Sequence, residues 1–179
     1  MHYGRYAKAQ AEPGEEAEIR CANDLVAQYG GEYRKATLNE NKYQHKDIIY
    51  TNPNREGKEY SFDVKMVKKI RRFFQETTDK YHWVEFHGGH PKAQGWVNGE
   101  QDWVAFETFN DWIFVDRETL KEKILEKMDD SVPIKMTKEN KPEEMLYKWY
   151  AHNDFDKIVL VETELLRLIS KFIVKKQTK

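Results

Sequence analysis

The sequence predicts an α/β domain, a central mixed β-sheet flanked by helices. Three observations carry this. An apolar stripe at helical spacing lies near the start, a run of short aromatic and β-branched segments fills the middle, and helical and strand patterns alternate towards the end. At 179 residues the chain is long enough for one well-packed domain and short for two.

The elements follow in order. Residues 1 to 12 read as a flexible N-terminal arm. Pro13 can open a helix, Glu15 and Glu16 suit its first turn, and Gly30-Gly31 can end it. Ile19, Ala22, Val26 and Tyr29 then form one apolar stripe, with Leu25 beside it. EYRKATL is a first strand. HKDIIYT and EYSFDVKMV are two more, joined by the turn residues of NPNREGK. HWVEF, GWVNG, DWVAFET and DWIFVD all have strand composition, and RETLKEKILEKM reads as a short helix. Proline and charge cluster over 128–144, the expected linker or excursion. EEMLYKWY is then expected as helix, DKIVLV as strand and ETELLRLISKFI as a closing helix.

Composition narrows the function. With 30 basic against 31 acidic residues the global field is close to neutral, so any nucleic-acid binding needs a local patch. A single cysteine, Cys21, excludes an intrachain disulfide and a four-cysteine metal site. No apolar run reaches membrane-spanning length, and the first residues lack the apolar core of a signal peptide. The expected setting is a reducing cytoplasm, with no membrane partner.

The hairpin carries the chemistry. Side chains alternate along a strand, so Asp63 and Lys65 share one face while Phe62, Val64 and Met66 share the other. Asp47, on the partner strand, can be brought beside Asp63. Adjacent carboxylates repel unless a positive charge lies between them, and their oxygens are the ligands Mg²⁺ prefers. A metal held by two carboxylates, with a lysine at its edge, suits phosphodiester hydrolysis: the metal lowers the pKa of a bound water and the ammonium stabilises transition-state charge. Glu18 lies four, seven and eight residues before Ala22, Leu25 and Val26, on the inward side of the first helix. It is either a solvated edge residue or a third acid completing the site, and Glu15, one turn earlier, is the alternative donor.

This order of elements, Glu on a first helix, Asp at a strand start, then Asp-x-Lys on the hairpin partner, resembles the PD-(D/E)XK nuclease superfamily. The stretch Gly14-Glu15-Glu16-Ala17-Glu18, with Gly30 closing the helix, looks most like the archaeal Holliday-junction resolvases. The resemblance covers residues 14 to 70. Lys46 stands where the name-giving proline would be, and the hairpin connection is longer. The resemblance implies a restriction endonuclease-like fold over 13–179. It implies a Mg²⁺-dependent endodeoxyribonuclease (Mn²⁺ able to substitute) with Glu18, Asp47, Asp63 and the Val64 carbonyl on the metal, and Lys65 as the catalytic lysine. It also suggests DNA, branched in the resolvase case, as partner, and a homodimer. A nuclease acting on ends or mismatches is the alternative within the fold. A non-catalytic nucleic-acid-binding or protein-interaction protein on the same scaffold is the alternative outside it.

Further residues extend the site. Lys68, Lys69, Arg71 and Arg72 place four positive charges after the Asp-x-Lys strand, where a nucleic-acid backbone could be gripped. Phe73, Phe74, Tyr81 and Trp83 could stack on unpaired bases, although core packing is the default for such aromatics. His82, His87 and His90 lack the spacing of a zinc site. The glycines of HGGHPKAQG permit close backbone approach to a substrate. Glu85 is an accessory candidate, and Asp102 reads as a turn cap.

Overall fold

A computed structural model describes residues 3–68, 77–89, 93–134, 140–151 and 156–177. Helix α1 (Tyr3–Tyr29) leads to β1 (Glu32–Lys35), α2 (Leu38–Gln44), β2 (Ile48–Thr51) and β3 (Glu59–Lys65). The chain continues through β4 (Tyr81–His87), a 3₁₀ turn at Trp96–Asn98, β5 (Trp103–Glu107), β6 (Asp111–Asp116) and α3 (Arg117–Lys127). It closes with β7 (Asp129–Ile134), α4 (Pro142–Met145), β8 (Lys148–Tyr150), β9 (Lys157–Glu162), α5 (Thr163–Leu168) and β10 (Ser170–Lys175). The fold is α/β around a mixed sheet with flanking helices. No described helix is long and apolar enough to cross a membrane.

The main sheet has six strands in the order β1-β2-β3-β5-β6-β10. Its pairs are antiparallel except β3 with β5, which run parallel with Asp63 opposite Val104 and Lys65 opposite Phe106. A parallel pair needs a crossover, and here the chain between β3 and β5 makes it by way of β4 and the 3₁₀ turn. Strand β4 belongs to a second sheet of four strands, β4-β9-β8-β7.

Each face of the main sheet has its own core. On one, Ala17, Cys21, Ala22 and Leu25 of α1 pack on Ile48, Tyr50, Phe62, Ala105 and Phe114. On the other, Val104, Phe106, Ile113 and Val115 meet Val84 and Phe86 of β4, Val159 and Val161 of β9, and Leu120 and Ile124 of α3. The second sheet is therefore the cover of the first sheet's far face.

The structure revises parts of the sequence reading. Helix α1 begins at Tyr3 and runs through Pro13, the residue expected to open it. Its buried face is Ala17, Cys21, Ala22 and Leu25, whereas Ile19 and Tyr29 are each 40% exposed. Small side chains let the helix approach the sheet closely, which the larger ones would prevent. GWVNG forms a 3₁₀ turn: Asn98 N and Gly99 N bond back to the carbonyls of Gly95 and Trp96. A Cβ on Gly95 would lie 2.2 Å from the Glu85 carbonyl oxygen, so only glycine lets this turn press against β4.

EEMLYKWY gives three residues of α4 and then β8, with Tyr147 at φ 57° turning the chain between them. The expected closing helix stops at Leu168 and the rest becomes β10, antiparallel to β6. Phe172 and Val174 alternate into the α1-side core, so period-2 burial beside an open strand edge overrides the helical pattern. The 128–144 stretch contributes β7 and α4 to the second layer, with 135–139 outside the described residues.

Candidate active site

The acids converge at the end of the main sheet where β3 finishes and β2 starts. Thr37 opens α2 with a reciprocal cap: Glu40 N donates to Thr37 Oγ1 at 3.3 Å and Thr37 N to Glu40 Oε2 at 2.7 Å. The helix ends at His45, held in the left-handed region at φ 55°, where its N–H bonds back to the Asn41 carbonyl. This reversal delivers Asp47 to the sheet. Its N–H donates to the Phe62 carbonyl at 3.0 Å, and its own carbonyl accepts from Ala36 N at 2.8 Å. The backbone of Asp47 is thus clamped on both sides.

The Asp47 carboxylate is oriented as firmly. Asn41 Nδ2 donates to Oδ1 at 2.7 Å and Val64 N to Oδ2 at 2.8 Å. Val64 therefore enters through its N–H, and its side chain lies on the α1 face with Phe62 and Met66. Asp63 and Lys65 take the opposite face, as strand alternation requires.

Asp63 is 3% exposed, and its carboxyl lies within hydrogen-bond reach of Asp47. Its Oδ2 is 2.7 Å from Lys65 Nζ, yet that contact lacks hydrogen-bond alignment and the atom is otherwise without a partner. Burial, and then the neighbouring Asp47 carboxylate, push the Asp63 pKa well above the usual carboxylate range, and the Lys65 charge only partly opposes them.

Glu18 supplies the third acid. Burial first, and the Asp47 charge second, push its pKa up to about 7, against the pull of Lys35 and Lys65. Lys35 Nζ is 3.1 Å from Glu15 Oε1 and 3.7 Å from Glu18 Oε2. The Glu15 side chain is 64% exposed and that of Glu18 17%, so of the two helix-borne acids it is Glu18 that belongs to the buried group.

Among the described residues, no three His, Cys, Asp or Glu side chains stand at the spacing of a metal centre. What closes is the pair Asp47–Asp63, with Glu18 sensing Asp47 from the helix. The donor chemistry of the pair fits a hard divalent cation. It offers two carboxyl groups side by side, one oxygen lacks a hydrogen-bond partner, and burial with the neighbouring acid raises the pKa values of Asp63 and Glu18. Asp47, Asp63 and Glu18 are the residues that could hold such an ion.

Lys65 faces two ways. Besides Asp63, its ammonium lies 4.6 Å from the centre of the Trp96 ring. It also borders a cleft of about 400 Å³ whose walls include Lys68, Trp83, Glu85 and Trp96. A larger cleft, of about 630 Å³, lies between Lys58, Tyr60, Asp102, Trp103 and Arg117, and none of Glu18, Asp47, Asp63 or Lys65 lines it.

The other candidates sort plainly. Lys68 is exposed and described; Lys69, Arg71, Arg72, Phe73, Phe74 and His90 lie outside the described residues. His82 is buried against Phe106, and burial lowers its pKa to about 4, so it is a neutral core residue. His87 Nδ1 pairs with the Gly88 carbonyl. Asp102 caps Ser61, accepting from its N at 2.7 Å and its Oγ at 2.8 Å. Sequence reasoning missed Asn41, Lys35 and Trp96. Thr37-x-x-Glu40 was the available signal for α2, and so for Asn41.

A scan against family models and searches of curated proteins and of solved structures find no match to this chain.

Proposed function

We propose that the protein is a metal-dependent nuclease of restriction endonuclease-like fold, hydrolysing DNA phosphodiesters by direct attack of water. The observation that carries this is the convergence of Asp63, buried on β3, with Asp47, half-buried just before β2, and Glu18 of α1, and with Lys65 at 2.7 Å from Asp63. The central mixed sheet flanked by helices, which the PD-(D/E)XK resemblance implies, supports the same reading.

A Mg²⁺ or Mn²⁺ ion would supply charge neutralisation and an acidified water. The chain's own contribution is arrangement. Asn41 and the Val64 N–H hold the Asp47 oxygens in place. The sheet fixes Asp63 beside them, and Glu18 approaches from α1. Lys65, freed from Asp63 when the acids gain another counter-charge, can stabilise negative charge on the scissile phosphate.

Selectivity for branched DNA and a homodimer with paired sites extend this proposal through the resolvase resemblance. The test is cleavage of a labelled four-way junction and a matched linear duplex, with Mg²⁺ or Mn²⁺ and with EDTA, beside an Asp63→Ala variant. Metal-dependent cuts absent from the variant are expected, and cuts confined to the junction would add the selectivity. If neither substrate is cut and metal leaves the melting temperature unchanged, the catalytic reading falls.

A second reading has its own support. Lys65 already serves as a resident counter-ion for Asp63, an arrangement that would also suit a non-catalytic nucleic-acid-binding protein. Such a protein would gain no stability from divalent ions.

A further inference from the structure

The cleft beside Lys65 is distinct from the acid cluster but shares that one residue with it. It encloses about 400 Å³, within the size range of small-ligand pockets and too small for a double helix. Its lining includes Lys65, Lys68 and Glu85, with Trp83 from the outer face of β4 and Trp96, 8% exposed, from the inner face. The Gly95 turn, pressed on the Glu85 carbonyl, holds Trp96 against β4. In the same wall His82 Nε2 is buried without a hydrogen-bond partner. Cations beside aromatic faces are the combination that binds unpaired nucleotides: bases stack on rings, and phosphates pair with ammonium groups.

We propose that this cleft receives one unpaired nucleotide of the strand being cut, its base against Trp83 and its phosphate at Lys65 and Lys68. This rests on the nuclease reading and names the substrate class: DNA that is single-stranded, or unpaired, next to the scissile bond. Lys65 is the hinge of the argument. Its Nζ is 2.7 Å from Asp63 Oδ2 and 4.6 Å from the Trp96 ring centre, so a phosphate it grips lies between the acids and that ring. Glu85 completes the recognition as an acceptor for base N–H groups. Burial raises its pKa, while Lys65 and Lys68 pull it down, so the carboxylate is partly neutralised by the groups that would hold the phosphate.

The test measures binding apart from cleavage. An Asp63→Asn protein in EDTA is titrated into a fluorescently labelled pentathymidylate, with anisotropy as the readout. Unlabelled duplex and thymidine monophosphate serve as competitors. The expected result is tighter binding of the pentanucleotide than of either competitor. Adding Trp83→Leu should weaken it by about 10-fold, the loss of one base stack. A Lys68→Glu change, at an exposed position, should weaken it and flatten its salt dependence. Three results would overturn the inference. One is preference for the duplex, another is indifference to both substitutions, and the third is competition by the monophosphate as strong as by the oligonucleotide, which would assign the cleft to a free nucleotide. None of these touches cleavage. Conversely, tight pentanucleotide binding with no metal-dependent cutting of any substrate would remove the nuclease reading and leave the cleft standing.

Discussion

Two groups of buried acids sit at the same sheet and are treated in opposite ways. At the β5–β6 turn, Glu107 Oε1 accepts from Arg20 at 3.1 Å and Lys176 at 2.8 Å, and its Oε2 accepts from Val67 N at 3.0 Å. Asp111, 2% exposed, accepts from Thr108 Oγ1 at 2.6 Å, from both Arg167 nitrogens at 3.0 and 3.2 Å and from Lys175 at 3.3 Å. Burial alone would raise both pKa values. The hydrogen bonds and cations outweigh it, Lys176 foremost for Glu107 and Arg167 for Asp111, and both end below the usual carboxylate range. At the β2–β3 end, Asp63 is also buried and Glu18 half-buried, but each faces another acid and both are raised. A carboxylate kept for stability is surrounded by donors. One left short of donors costs stability, and that expense is the physical signature of a site.

The largest expected effect breaks the comparison at Asp63. Asp63→Asn should lower metal-dependent cleavage by at least about 1,000-fold, as loss of a ligand to the activating metal would. Its melting temperature should stay level or rise, because a buried charge beside another acid is removed. The corresponding change at the other end, Asp111→Ala, should do the reverse. It should cost about 2–3 kcal/mol in chemical denaturation, from several charge-assisted hydrogen bonds lost together, with residual activity in proportion to folded protein.

The pH dependence of stability sharpens the contrast. Glu18 is raised from 4.5 to about 7, so the folded state binds a proton that the unfolded state has released across that window. The stability this gives is present below pH 4.5 and lost as pH rises through about 7. Asp63 shifts in the same direction, while Glu107 and Asp111, with lowered values, contribute stability above their unfolded pKa that is lost on acidification. Without divalent ions, denaturation free energy should therefore fall by roughly 2 kcal/mol between pH 5 and pH 8. Glu18→Gln should flatten that slope, and saturating Mg²⁺ should counter it.

The smallest effect concerns orientation. Asn41→Ala removes the donor to Asp47 Oδ1 without touching the acid. It should weaken the Mg²⁺ dependence of the melting temperature by about 10-fold in ion concentration, the lower end for an outer-shell partner. Stability itself should change by about 1 kcal/mol or less at this exposed helix.

Much of this site was legible because strand alternation is local. The positions of Asp63, Lys65, Phe62 and Val64 follow from period two, and Asp47 follows from the hairpin. Glu18 followed from the inward side of α1, although that side proved to be built on Ala17 and Cys21 rather than Ile19. The misses were non-local. Nothing near Phe172 announces the open edge of β6 that turns its segment into a strand. Nothing near Trp96 announces that a turn across the crossover will lay it beside Lys65. Those placements depend on which strand edges and faces remain open once the rest of the sheet exists. The second sheet illustrates the same point: β4 and β9 read as strands, but their alternation could not say which sheet they join.

The position of β10 has a consequence for the newly made chain. Two of the cations around Glu107 and Asp111, Lys176 and Lys175, arrive at the end of β10, and Glu107 in turn holds the backbone just beyond Lys65 through Val67 N. Until β10 has been synthesised and has docked on β6, the outer edge of the sheet is open and Glu107, the anchor of the exit from β3, lacks its Lys176 partner. The ordered constellation is thus withheld from the nascent polypeptide until β10 has been translated and has docked on β6.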